Sequence, residues 1–146
     1  MEQQYVVFLL NEEYYGVHIL NVQEIVRIEK LRVIPDMPYF VEGIANLRGV
    51  LIPIINLKKY FGLSENYMMN TAVILKNDND LIGITVDEVT EVAKFTEEQI
   101  EKRGFGNKKY LKGMVKTAKG VVLIFNMEEL LKPVSEVLKN TEKNYE

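Results

Sequence analysis

Apolar residues in this chain fall in short runs separated by turn-forming clusters, a pattern that predicts strands rather than long helices. Segments 5–10, 14–19, 43–47, 50–55, 71–76, 81–86, 112–116 and 121–125 are rich in Val, Ile, Tyr and Phe. They predict a mainly β fold. Hairpins are expected across 11–13, 77–80 and 117–120, where Asn, Asp and Gly accommodate turn geometry. Pro53 interrupts an apolar run and has no amide to donate, so it predicts an edge strand or a bulge. Three short helices are expected after Asn21, Asn56 and Asn126, whose side chains can accept from the free amides of a first turn. Asn21 with Glu24, and Asn126 with Glu129, have capping-box spacing. From Pro133 onward, Val134, Val137 and Leu138 form an apolar stripe that predicts a C-terminal helix to about residue 139. The polar stretch 140–146 reads as a frayed tail.

The two halves of the chain echo each other at an offset of about 67 to 70 positions. Tyr15-Gly16-Val17-His18-Ile19 parallels Ile82-Gly83-Ile84-Thr85-Val86, and Val22 with Glu24 parallels Val89 with Glu91. Phe40 to Ile44 parallels Tyr110 to Met114, and Ile52 to Asn56 parallels Val122 to Asn126. Four matches in one order favour two copies of a five-stranded barrel, with a boundary near 62–70. A single domain over 1–139 is therefore expected, made of sub-barrels at about 1–66 and 67–131, with strand exchange between them left open.

Composition narrows the function. With 146 residues and 47% hydrophobic content, the chain has ample material for a packed core. There are no cysteines, so disulfides and thiolate ligands are out, which suits a reducing compartment. The start, Met1-Glu2-Gln3-Gln4, has no basic flank or cleavage site and does not read as a signal peptide. No apolar run approaches the roughly 20 residues needed to span a bilayer. The net charge of −3 argues against a nucleic-acid partner. Lys108, Lys109, Lys112, Lys116 and Lys119 cluster without interleaved aromatics and read as a solvated surface.

Catalytic chemistry is hard to find. One histidine, His18, and two serines, Ser64 and Ser135, supply no nucleophile with a base. His18 lies in an alternating strand and reads as structural or surface-exposed. One His and no Cys leave only carboxylates for a metal, and neither metal nor cofactor is expected. Gly104-Phe105-Gly106 is an incomplete dinucleotide motif and reads as a loop. Paired carboxylates among Glu24, Glu42, Asp87, Glu88 and Glu91 keep open an alternative, a carboxylate-dependent enzyme or small-molecule sensor.

The segment Val41-Glu42-Gly43-Ile44-Ala45-Asn46-Leu47-Arg48-Gly49-Val50, followed by Pro53 and Leu57, resembles the CheW family of chemotaxis adaptors. Tyr15-Gly16-Val17-x-Ile19-x-x-Val22-Gln23-Glu24-Ile25 and Gly83-Ile84-x-Val86-Asp87-x-Val89 carry the same likeness, which extends from about Tyr5 to Leu131. The resemblance implies two SH3-like five-stranded barrels packed together. It also implies a non-catalytic scaffold that couples the cytoplasmic tip of a chemoreceptor to the regulatory domain of the histidine kinase CheA. Such a protein is expected in the cytoplasm, recruited to membrane receptor arrays without inserting into the membrane. A fused receiver domain of the CheV class is not expected, because the sequence stops at residue 146. A coupling protein of another kinase pathway would show the same motif.

By the same resemblance, a receptor-facing groove between the barrels would involve Val22, Glu24, Arg48, Thr71, Ala72 and Val73, while the kinase-contacting residues stay unassigned. Each has a structural alternative. Glu24 can close the box with Asn21, Val22 and Val73 can be core residues, and Arg48 can be a solvated turn residue. Gly43 and Gly49 read as backbone requirements of a bulge and a turn.

Overall fold

Continuous apolar runs such as Tyr5 to Leu10 can persist in a strand only if both of its faces are buried, and the fold meets that demand by packing one sheet against another. The computed structural model describes residues 1–63, 70–102 and 109–143. Ser64, Lys108, the Gly104-Phe105-Gly106 loop, most of the expected copy boundary and the end of the expected tail lie outside the described residues. Among those described, the strands are β1 (Glu2–Leu10), β2 (Glu13–His18), β3 (Val22–Arg27), β4 (Val41–Leu47), β5 (Val50–Asn56), β6 (Thr71–Asn77), β7 (Asp80–Val86), β8 (Glu88–Thr96), β9 (Leu111–Thr117) and β10 (Gly120–Phe125). Two α-helices, α1 (Leu57–Tyr60) and α2 (Met127–Lys143), follow β5 and β10.

Neither half of the sequence closes a sheet of its own. One sheet runs β8-β1-β2-β10-β9, here barrel A, and the other runs β3-β6-β7-β5-β4, here barrel B. Each copy gives its first two strands to one barrel and its last three to the other. The chain crosses between barrels after His18 and again at Asp87. On β1, Tyr5 and Val7 enter the interior of barrel A, whereas Val6, Phe8 and Leu10 enter a central core between the sheets. On β6, Ala72 and Ile74 fill barrel B, while Val73 and Leu75 face the same central core. Burying one such large apolar side chain stabilises by about 1.5–3 kcal/mol, so the central core holds the two barrels as one body. Met127, Leu130, Leu131, Val134 and Leu138 of α2 close it from outside, at helical spacing.

The internal echo extends to backbone hydrogen bonds. Arg32 and Ile44 exchange two bonds of 2.9 Å, and Glu101 and Met114 exchange bonds of 2.8 and 2.9 Å at the related place. The amide of Asn56 donates to Phe40 and that of Asn126 to Tyr110. Each barrel also has one parallel strand pair, Ile54 opposite Gly83 and Ile124 opposite Gly16. The glycines at these crossings are steric: a Cβ on Gly83 would lie 2.5 Å from Cδ1 of Ile54.

Several sequence expectations change. The helix expected after Asn21 is strand β3. Asn21 instead ends a 3₁₀ turn, Ile19–Asn21, capped by His18, and the following segment alternates between half-buried and exposed residues. Strand β8 was not expected, because exposed Val92 hides its alternation. The stripe beginning at Pro133 belongs to a helix that already starts at Met127, with the Asn126 Oδ1 accepting from the Glu129 amide at 3.3 Å. That helix continues to Lys143, through the first part of the expected tail. Asn56 caps α1 as expected, accepting from the Lys59 amide at 3.1 Å. Pro53 stands opposite Ile44 on β4, and the parallel pairing of β5 with β7 begins only at Ile54, so the proline occupies a local edge.

Gly43 combines a φ of 155° with a bulge in β4, and a Cβ there would lie 2.8 Å from the carbonyl oxygen of Arg32. Backbone cannot yield as a side chain tip can. Gly43→Ala is therefore expected to lower unfolding free energy by about 1–3 kcal/mol in urea titration, the usual cost of overpacking.

Candidate docking surface

Arg48 and Gly49 form the two-residue turn between β4 and β5, closed by the Leu47–Val50 pair. Both have positive φ, 53° and 86°, as a right-twisted two-residue hairpin of type I′ requires. The Asn46 side chain steadies the turn, its Oδ1 accepting from the Gly49 amide at 2.9 Å. Glycine or asparagine normally fills the first central position. A long side chain in left-handed conformation costs about 1–2 kcal/mol, and such outliers persist most often at functional sites.

Strand β3 supplies the partner. A bulge between Val22 and Glu24 leaves Gln23 unpaired and sets Glu24 opposite Ile74, whose side chain enters barrel B. Glu24 is thereby turned to the edge of the barrel instead of the central core. There its carboxylate accepts from the Arg48 guanidinium. β3 and β4 are the two outer strands of the sheet, so this pair ties the barrel across its open edge. The Arg48 side chain is 73% exposed and that of Glu24 27%. A pair so accessible is worth about 0–1 kcal/mol to stability, which leaves the strain at Arg48 without a compensating stability role.

The remaining expected residues separate into two groups. Val22 is half-buried against the central core, and Thr71 is half-buried at the start of β6. Ala72 and Val73 are fully buried, the first inside barrel B and the second in the central core. Neither side chain reaches the surface. Ile25, absent from the expected set, is 44% exposed beside Glu24, and Leu51 next to the turn is 68% exposed. The alternation of Val22 to Arg27, read as a strand, would have marked Ile25.

Four of the five carboxylates named as possible catalysts are engaged separately. Glu24 meets Arg48, Glu42 meets Lys59 at 3.1 Å, Asp87 meets Lys58 at 2.7 Å and Glu91 meets Lys119 at 3.1 Å. Among the described residues no group of three acidic or histidine side chains gathers as a metal site would require. An open depression of about 270 Å³, lined by Val50, Leu51, Pro53, Leu81 and Leu138, includes Asp80 as its acidic residue.

A family model described as the CheW-like domain matches residues 4–134. The chain belongs to the CheW-like family. It is similar to the chemotaxis protein CheW of Treponema pallidum, 35% identical with 87% of this chain and 81% of that protein covered. It is 36% identical to the chemotaxis protein CheW of Klebsiella aerogenes, covering 88% of this chain and 81% of that one. Among solved structures, the scaffolding protein TtCheW from Thermoanaerobacter tengcongensis is similar with a TM-score of 0.79 and 35% identity, over 87% of this chain and 86% of that chain. As in a CheW-like protein, the architecture is two packed five-stranded barrels. No helix among the described residues is long and apolar enough to cross a membrane.

His18, the family member's one histidine, caps the first crossover between barrels. Its Nδ1 accepts from the Leu20 amide at 3.1 Å, so Nε2 carries the proton and donates to the Gln3 side chain. Burial lowers its pKa below the ordinary 6.5, the Lys112 charge lowers it further, and Glu97 partly opposes this. The unfolded chain therefore binds more protons below about pH 6.5. Stability should fall as pH drops from that value through the folded pKa, and His18→Asn should flatten this slope in denaturant titrations across pH 5–7.

Arg48→Gly removes the left-handed strain together with an exposed ion pair worth little to stability. It should leave stability unchanged or raise it, within about 1 kcal/mol, because relief of the left-handed strain outweighs the added chain entropy of glycine. Thermal melts of both forms check this.

Proposed function

We propose that this protein is a non-catalytic coupler that holds the cytoplasmic tip of a chemoreceptor and the regulatory domain of the histidine kinase CheA at separate surfaces. The observation that carries this reading is the Glu24–Arg48 pair, set on a strained turn at the open edge of barrel B in a CheW-like chain. The names of its relatives, chemotaxis proteins and a scaffolding protein, support the same role. The coupler works in the cytoplasm and reaches the membrane array through its receptor.

The receptor surface comprises Val22, Glu24, Arg48 and Thr71, extended by Ile25. Ala72 and Val73 act from beneath by fixing the strand on which Thr71 stands. The chemistry suits a receptor helix hairpin: exposed Ile25 beside half-buried Val22 takes apolar side chains, and the acid–base pair fixes register through charge-assisted hydrogen bonds. Binding that favours one orientation of the partners transmits receptor state to kinase activity without a chemical step.

Arg48→Glu sets two carboxylates face to face at this edge. It should weaken receptor-fragment binding by about tenfold, the scale of an interface arginine, while far-UV spectrum and melting stay unchanged. Unaltered affinity removes Arg48 from the surface. The unmodified protein should co-sediment with receptor fragment and CheA together, and absence of that ternary complex overturns the coupling reading.

A further inference from the structure

An apolar interface favours contact but has no directional preference, so burial alone does not set the register at which two barrels meet. Beside the central core lies one charge pair of strict geometry. Asp87 is the single residue between β7 of barrel B and β8 of barrel A. Its Oδ1 lies 2.7 Å from Nζ of Lys58 on α1, whose side chain is only 2% exposed. Its Oδ2 accepts from the Asn11 amide at 2.9 Å in the β1–β2 turn of barrel A. Its own amide donates to the Leu9 carbonyl at 3.0 Å. One carboxylate thus joins the helix of barrel B to a hairpin of barrel A. That hairpin turn is left-handed at both Asn11 and Glu12, with φ of 50° and 67°, and the Asp87 contact holds it in place.

Among the described residues, the other crossover has no such pair. The duplication relates Asp87 to Leu20 and Lys58 to Glu128. Leu20 is 83% exposed and Glu128 is exposed as well. Two barrels built on one plan thus carry the buried pair at only one of their two crossings, so the barrel plan itself does not demand it. A buried ion pair adds little net stability over neutral groups of the same volume, and its best-attested use is to fix register.

We propose that Lys58–Asp87 is a register pin that sets the angle between the barrels, and through it the geometry in which receptor and kinase are held. The second half rests on the coupling reading above. Lys58 and Asp87 are positioning residues that touch neither partner.

The chain has no cysteine, so K76C on β6 and K116C on β9, both at exposed positions in different barrels, accept spin labels at defined sites. The labelled full chain should give one narrow distance. K58M/D87N removes both charges, keeps the volume and leaves an acceptor for the Asn11 amide. It should melt as the parent does, lose the single narrow distance, and bind receptor fragment and CheA separately, while receptor control of CheA autophosphorylation is lost. K58R, which keeps the charge, should retain the narrow distance and the control. Intact control or an unchanged distance in K58M/D87N overturns the pin. So does failure of K58M/D87N to fold, since the pair is then an ordinary stability element. If the unmutated chain forms no complex with receptor and CheA, the coupling reading fails, and the distance measurement still decides whether the pair sets the barrel angle.

Discussion

The structure depends on the central apolar core between the two sheets. Val6, Phe8 and Leu10 from the first copy meet Val73, Leu75, Ile82, Ile84 and Val86 from the second. Strands β1 and β6 are apolar on both faces because each serves a barrel interior and this shared core at once. Strand exchange between the copies makes the core indispensable. Neither half of the sequence has five strands in one sheet, so neither can close a barrel alone, and the two barrels form together. The aromatic rings reinforce the junction, with Phe61 from the end of α1 stacked 5.4 Å from Tyr110 and 6.0 Å from Phe125.

With the interior filled by packing, two irregular features stand out at the sheet edges. At the edge of barrel B, a bulge in β3 turns Glu24 outward and a left-handed turn presents Arg48 to it. Both are local departures from regular strand geometry. The related hairpin of barrel A is built differently, with the Thr117 hydroxyl donating to the Gly120 carbonyl and positive φ at Gly120 alone among its turn residues. A hairpin at this place in the fold therefore does not require a strained arginine. Duplication supplied two similar barrels, and at this hairpin they differ in turn geometry and in charge.

Much of this was legible in the chain. Eight strands, the caps at Asn56 and Asn126, the edge position of Pro53 and the duplicated plan follow from local patterns, because period-two burial, asparagine capping and the missing proline amide act within a few residues. At β3, Asn21 and Glu24 have the spacing of a capping box, yet the segment is a strand. The pairing of β3 with β6 outweighs that local preference, since the strand's half-buried residues pack only when it is extended. A box that does form, between Thr96 and Gln99, has the same spacing.

The placement of the expected site residues shows where sequence stops and tertiary structure begins. The segment around Arg48 determined by itself that this residue sits in a tight turn beside glycine, and the repeat determined that the domain holds two related barrels. Only the fold decided that Glu24 meets Arg48, that Ala72 and Val73 are interior while Ile25 is exposed, and that Lys58 is buried against Asp87. Period-two alternation says that neighbouring side chains point opposite ways, but not which side is covered. In a strand buried on both faces that choice belongs to the partner sheet, which here comes from the other half of the chain.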